Sequence, residues 1–182
     1  MAAASIPSDR KSARLALVQQ HVRLENERQL EGVLSTFGES AQYQDEAWGD
    51  SYPGRDGVRS YYEGLMAALP DLEIKVRQQY VTDENVILEV LICGTHLGPW
   101  RGLPATGRRV EVPLCGIYTF DDKDRLAGER IYYDRATVLR QLGVFHEPKT
   151  VLGRIGVLVA HPLTMGHALF RSIFTREGAR PA

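Results

Sequence analysis

The sequence predicts an α+β domain in which N-terminal helices and a curved antiparallel sheet form a half-open cone around a pocket. Three observations predict it. Apolar residues recur at helical spacing up to Leu69, the period changes to two beyond Pro70, and four alternating runs then follow one another across turn residues.

Ser8 and Asp9 provide a start signal for a first helix from Asp9 to Glu25, with Ala13, Leu17, His21 and Leu24 on one stripe. Leu30, Val33, Leu34 and Phe37 mark a shorter helix that Gly38 stops. Ala41 to Trp48 reads as a short strand or extended arm, followed by the Pro53-Gly54 turn. Asp56 caps a third helix, Gly57 to Leu69, whose Val58, Tyr61, Tyr62, Leu65 and Met66 share a face, and Pro70 terminates it. Leu72 to Tyr80, Val86 to Ile92, Arg109 to Phe120 and Leu126 to Tyr133 then alternate as a four-strand meander. Asp134 opens a last helical turn containing Val138, Leu139 and Leu142, stopped by Gly143.

The expected organisation is a disordered leader over residues 1–8, the cone domain over 9–143 and a C-terminal extension over 144–182. That extension reads as a helix over the pocket mouth or as a self-association surface, although Pro162 and Gly166 argue against one unbroken helix. With 182 residues, 43% of them hydrophobic, the chain supports one domain with a real core. A net charge of −1 from 22 basic and 23 acidic residues lacks the basic excess of a nucleic-acid binder. The longest apolar stretch, Val151 to Phe174, is interrupted by Arg154, His161, Pro162, His167 and Arg171, so no membrane span is expected. The N-terminus lacks the apolar core of a secretory signal, and Cys93 and Cys115 lie inside strands, which together suggest a reducing cytoplasm. His21, His146, His161 and His167 show no metal-ligand spacing, so no metal is expected.

Between the second and third alternating runs lies the loop Gly94 to Gly107. Counting by twos from Val86 places His96 on the core face of its strand. Apolar residues on both faces of that strand, with Ile87 and Leu91 opposite Leu88 and Val90, point to a homodimer through the outer face of the sheet.

Several segments carry a resemblance: Tyr52-Pro-Gly-Arg-Asp-Gly-Val58, Leu69-Pro-Asp-Leu72, Gly94-Thr-His-Leu-Gly98, Gly102-Leu-Pro-Ala-Thr-Gly-Arg108, and Asp134 followed by Leu139-Arg-Gln-Leu-Gly143. In this order, over about Arg28 to Gly143, the chain resembles the SnoaL-like polyketide cyclases of the nuclear-transport-factor-2-like superfamily. The resemblance implies a cystatin-like cone, no metal or organic cofactor, and intramolecular aldol ring closure on a hydrophobic, polyketide-type substrate. It also places an acid/base aspartate at Asp134.

Aldol closure needs a base for the proton beside one carbonyl and a donor for the alkoxide formed at another. A desolvated carboxyl and an imidazole suit those tasks, which makes Asp134 and His96 the catalytic candidates. Tyr43, Trp48, Tyr61, Trp100, Tyr118 and Arg130 are the candidate substrate contacts. The same residues have plain structural uses: Asp134 as a helix N-cap, His96 hydrogen-bonded to its loop, the aromatics as core. The superfamily's epoxide hydrolases imply an Arg-x-Asp alternation. Here the last strand offers only Glu129 and Arg130, which point to opposite faces. A ketosteroid-isomerase-like proton shuttle and a non-catalytic small-molecule-binding cone remain as alternatives.

Overall fold

The computed structural model describes residues 7–145 and 147–176, so residues 1–6 of the expected leader lie outside the described residues. The chain divides into two compact units, residues 1–142 and 143–182.

In the first unit, α1 (Ser8–Asn26) and α2 (Leu30–Ser35) precede β1 (Phe37–Asp45) and β2 (Asp50–Pro53). Then follow α3 (Gly54–Ala68), β3 (Glu73–Val81), β4 (Asn85–Thr95), β5 (Arg109–Phe120), β6 (Leu126–Tyr133) and α4 (Arg135–Gln141). The six strands form one sheet in the order β2-β1-β6-β5-β4-β3, antiparallel except where β1 runs parallel to β6. Register shifts at Phe37/Gln42, Val76/Gln78 and Thr119/Phe120 interrupt the ladders, and such irregularities let a sheet bend around a core. The expected meander is therefore the β3–β6 part of a larger sheet. Its neighbour β1 overlaps the short strand or arm expected from Ala41 but begins earlier, at Phe37, where the sequence suggests the end of a helix.

The face α1 turns inward carries Arg14, Val18, His21, Val22 and Glu25, while Ala13 is exposed. The inward stripe is thus rotated from the one predicted, because three of its members are polar. Charges enter a core only with partners. Arg14 donates to Asp124 (2.8 Å) and to the Asp83 carbonyl (3.0 Å), and its guanidinium lies 4.6 Å from the Phe120 ring centre. At the other end of α1, Asn26 donates to the Ile74 carbonyl (3.0 Å) and accepts from the Ile74 amide (2.6 Å), tying the helix to β3.

Beyond β4, the loop is pinned at several points. The amides of Leu97 and Gly98 both donate to the Ala68 carbonyl, and a Cβ at Gly98 would collide with the Ala67 carbonyl. Asp71 accepts from the Thr95 amide (2.6 Å) and hydroxyl (2.7 Å). At the loop tip Arg101 and Gly102 take left-handed backbone conformations, and Arg101 pairs with Asp45 (2.5 Å) and Asp50 while lying 4.7 Å from the Trp48 ring centre.

The second unit holds α5 (Val151–Ala160) and α6 (Pro162–Arg176), with a break at His161 where the sequence carries Pro162.

Candidate active site

A cavity of about 70 Å³ lies between the concave face of the sheet and helices α1, α3 and α4. Its walls are largely apolar, with Leu65 and Leu69 from α3, Val90 and Ile92 from β4, and Val110 and Val112 from β5. The polar lining comes from Glu25, His96, Glu129 and four tyrosines.

Glu25 and Glu129 belong to a buried cluster with His21, Tyr62 and Thr36. The hydrogen bonds constrain where its protons sit. Thr36 spends its hydroxyl proton on the Val33 carbonyl (2.6 Å), so its oxygen accepts from His21 Nδ1 (2.8 Å). Tyr62 donates to Glu129 Oε2 (2.8 Å), leaving its oxygen to accept from His21 Nε2 (3.0 Å). Both imidazole nitrogens then carry protons, which makes His21 an imidazolium 3.4 Å from Glu129 and 3.7 Å from Glu25.

The electrostatics agree with that count. Burial opposes the charge on His21, but the two glutamates outweigh it and hold its pKa above the ordinary value. Burial pushes the Glu25 carboxyl up to about 7, with His21 drawing it down and Glu129 pushing it further up. Burial and then the Glu129 charge keep the Tyr62 and Tyr118 phenols protonated. The cluster therefore holds, at the cavity wall, a carboxyl that titrates near neutral pH.

His96 faces the same cavity. Its Nδ1 accepts from the Thr106 amide (3.3 Å) and lies 3.1 Å from the Thr106 hydroxyl, while its buried Nε2 has no protein partner. Burial lowers its pKa, so the imidazole is neutral and carries its proton on Nε2. It is a donor with nothing yet to donate to.

Of the other predicted contacts, Tyr43, Tyr61, Trp100 and Tyr118 also line the cavity, with the Tyr43 and Tyr61 rings stacked at 3.8 Å. Trp48 lines an adjoining groove with Tyr52, Pro99 and Arg101 rather than the cavity itself. Two expectations are corrected. Asp134 is exposed and caps α4, accepting from the Ala136 amide (2.9 Å) and the Thr137 hydroxyl (2.5 Å). The Thr137 bond leads in holding its pKa below the ordinary value, the opposite of a desolvated base. Arg130 is exposed on the outer face of β6, donating to Gln44 (2.7 Å) and lying 3.4 Å from Glu46.

The residues that sequence reasoning missed are His21, Glu25 and Glu129. A signal existed, because His21 and Glu25 are one turn apart beside Val18 and Val22, and Glu129 shares its face of β6 with Ile131. Among the described residues, these three form the single group of His, Cys, Asp or Glu whose ligand-type atoms all lie within 4.8 Å. A cation there would need His21 Nε2 to give up Tyr62.

The comparisons with known proteins agree with this architecture. AclR from Streptomyces galilaeus superposes with a TM-score of 0.64 at 23% identity, covering 72% of this chain and 96% of its own. A SnoaL-like protein from Jannaschia sp. CCS1 gives 0.65 at 18% identity, covering 78% and 97%. SalBIII, an epoxide hydrolase/cyclase-like enzyme with a role in pyran ring formation in the polyether salinomycin, gives 0.61 at 18%, covering 69% and 94%. At these identities the likeness is one of fold. No curated protein matches the chain. The family model described as SnoaL-like polyketide cyclase matches residues 15–142, the stretch that builds the cavity from α1 to α4, and on that match the chain belongs to the SnoaL-like polyketide cyclase family.

Proposed function

We propose that this protein is a cofactor-free acid/base catalyst that closes a ring in an uncharged, hydrophobic, polyketide-type substrate by intramolecular aldol condensation. Glu25 takes the proton from a carbon beside a carbonyl, and the enolate carbon attacks a second carbonyl of the same molecule. His96 Nε2 donates to the oxygen that becomes the alkoxide. Glu129, His21 and Tyr62 hold the counter-charge and position Glu25. The observation that carries this reading is a buried carboxyl with a pKa of about 7 at the edge of an apolar cavity, matched to proton transfer near neutral pH.

The test is proton exchange at the activated carbon of a tricyclic polyketide ester in deuterium oxide, followed by NMR. Wild-type protein accelerates exchange and Glu25→Gln loses it by about 10²-fold or more. Exchange at the uncatalysed rate with wild type, or equal rates for both proteins, would defeat the proposal.

Epoxide opening is a second reading, favoured by the pairing of two carboxyls around one imidazolium. The protonated carboxyl would give its proton to the epoxide oxygen while the ionised one activates the attacking hydroxyl. Turnover of a hydroxy-epoxide without carbon-proton exchange would select it. Assembly as a homodimer through the outer sheet face belongs to the same proposal, supported by the cross-strand row Tyr80, Ile87 and Ile117 on that face. A monomer in light scattering would remove it.

A further inference from the structure

The cavity is small for the substrate class proposed for it. Its volume of about 70 Å³ falls below the about 300–1,000 Å³ of pockets that hold drug-sized molecules. Space on that scale lies beside it. The groove next to Trp48 has a volume of about 400 Å³ and shares Tyr61, Leu65 and Trp100 with the cavity, so the two adjoin across those side chains. All the residues that line the groove belong to the first unit.

Helix α3 contributes Ser60 and Gly64, one turn apart and both exposed. Glycine weakens a helix interior, and a Cβ at Gly64 would meet no atom within 4 Å, so neither the helix nor its packing calls for glycine there. What the missing side chain does is leave the groove open. Its walls include the Trp48 and Trp100 rings, 5.8 Å apart between centres and 75° between planes. Reciprocal backbone hydrogen bonds with Leu103 (2.9 and 2.8 Å) hold Trp100, and the guanidinium groups of Arg101 and Arg135 lie 4.7 and 5.0 Å from the Trp48 ring centre. Flat walls fixed before a ligand arrives lose little freedom when a flat ring stacks on them.

Charge narrows the ligand further. The charged side chain in the groove lining is Arg101, and it is already paired with Asp45 (2.5 Å) and Asp50. An ionic ligand would have to break that pairing to find a counter-charge in the lining. The Trp100 ring centre lies 6.3 Å from that of His96, so a ring stacked on Trp100 carries its substituents toward the cavity's unpartnered donor.

We propose that this groove is a second subsite, which holds a planar, uncharged, aromatic portion of the substrate against Trp48 and Trp100 while the reacting end occupies the cavity beside His96 and Glu25. The identity of that reacting end rests on the ring-closing reading above, whereas the aromatic subsite rests on the groove's own walls.

The test is titration of the isotope-labelled full chain with the methyl ester of an anthraquinone carboxylic acid, followed by heteronuclear NMR. This probe has no carbon acid to lose, so its binding is independent of the acid/base chemistry. The chain's two tryptophans both line the groove, which gives two indole N–H signals to follow, and Trp100→Phe assigns them. A ring stacked in the groove should shift both signals, whereas a ligand confined to the cavity shifts that of Trp100 alone. Gly64→Leu and Ser60→Leu, which fill the groove from an exposed helix face, should each weaken the ester by about tenfold with circular dichroism unchanged. The free carboxylate should bind about tenfold more weakly than the ester. In the deuterium-exchange assay, Gly64→Leu should raise the concentration of tricyclic polyketide ester needed for half-maximal exchange by about tenfold. An unmoved Trp48 signal, leucine variants that bind like wild type, a carboxylate that binds as tightly as the ester, or an unchanged half-saturation would overturn the proposal. Shifts of both indoles without carbon-proton exchange would support the subsite and defeat the ring-closing reading alone.

Discussion

Replacing Glu25 by glutamine should make the protein more stable at alkaline pH while removing its turnover. Burial leads in raising the Glu25 pKa from 4.5 to about 7, with Glu129 adding to it and His21 opposing. At about 1.4 kcal/mol per unit, that gap is worth about 3 kcal/mol. The native state holds this proton more tightly than the unfolded chain does. The stabilisation is therefore complete below the unfolded value of 4.5, declines above it and is lost as pH rises through about 7. His21, whose pKa is also raised, loses its contribution in the same direction, beginning at its ordinary value of 6.5. Wild-type stability should thus fall by about 3 kcal/mol between about pH 5 and about pH 8, a window above the titration of Asp71, Asp121 and Asp124, whose pKa values are lowered. Glutamine mimics the protonated carboxyl at every pH, so the Glu25→Gln curve should be flatter and should lie above wild type on the alkaline side. Urea titration followed by tryptophan fluorescence reads this directly, because Trp48 and Trp100 both lie in the first unit. Wild-type stability that rises across the window, or a variant that tracks the wild-type slope, would refute the assignment of a shared, desolvated proton to this cluster.

Three other substitutions probe the rest of the site. Tyr62→Phe leaves Glu129 without its donor and His21 Nε2 without its acceptor, and should cost about 1–3 kcal/mol in the same urea titration. His96→Phe keeps the apolar contacts but removes the unpartnered Nε2 donor; turnover should fall by about 10²-fold, with substrate binding by fluorescence retained. Asp134→Asn should leave turnover unchanged, and a large loss would return that exposed carboxylate to the mechanism.

The sequence read most clearly where a local pattern and the final environment agree. β6 spans Leu126–Tyr133 as its alternation required, and the opposite orientations of Glu129 and Arg130 were visible in the same count. His96 reached the concave side because strand parity continues past Thr95, where its amide still donates to the Arg108 carbonyl (2.9 Å). β1 was legible only in its second half, as the short strand or arm from Ala41. Its parallel partner β6 is distant in sequence, and a register shift between Phe37 and Gln42 breaks the alternation that would have announced its start. The buried acid/base cluster was hidden for a related reason: a search for apolar stripes passes over a helix whose inward face is Arg14, His21 and Glu25, since the compensating charges come from loops and strands far along the chain. Asp134 drew attention through its motif, yet the first turn of α4 claims both of its oxygens.

The fastening of the loop after β4 has a consequence for how such a protein can diversify. Its entry is tied to the end of α3 through the Ala68 carbonyl and the Asp71–Thr95 pair, and its tip is held by Arg101 to Asp45 and Asp50. Trp100 rides between those moorings, while His21 and Glu25 are rooted in α1, Tyr62 in α3 and Glu129 in β6. Substitution at Trp100 can therefore reshape the rim without moving the buried acid/base group, whereas His96 and Thr106, in the same loop, tie the rim to any chemistry inside.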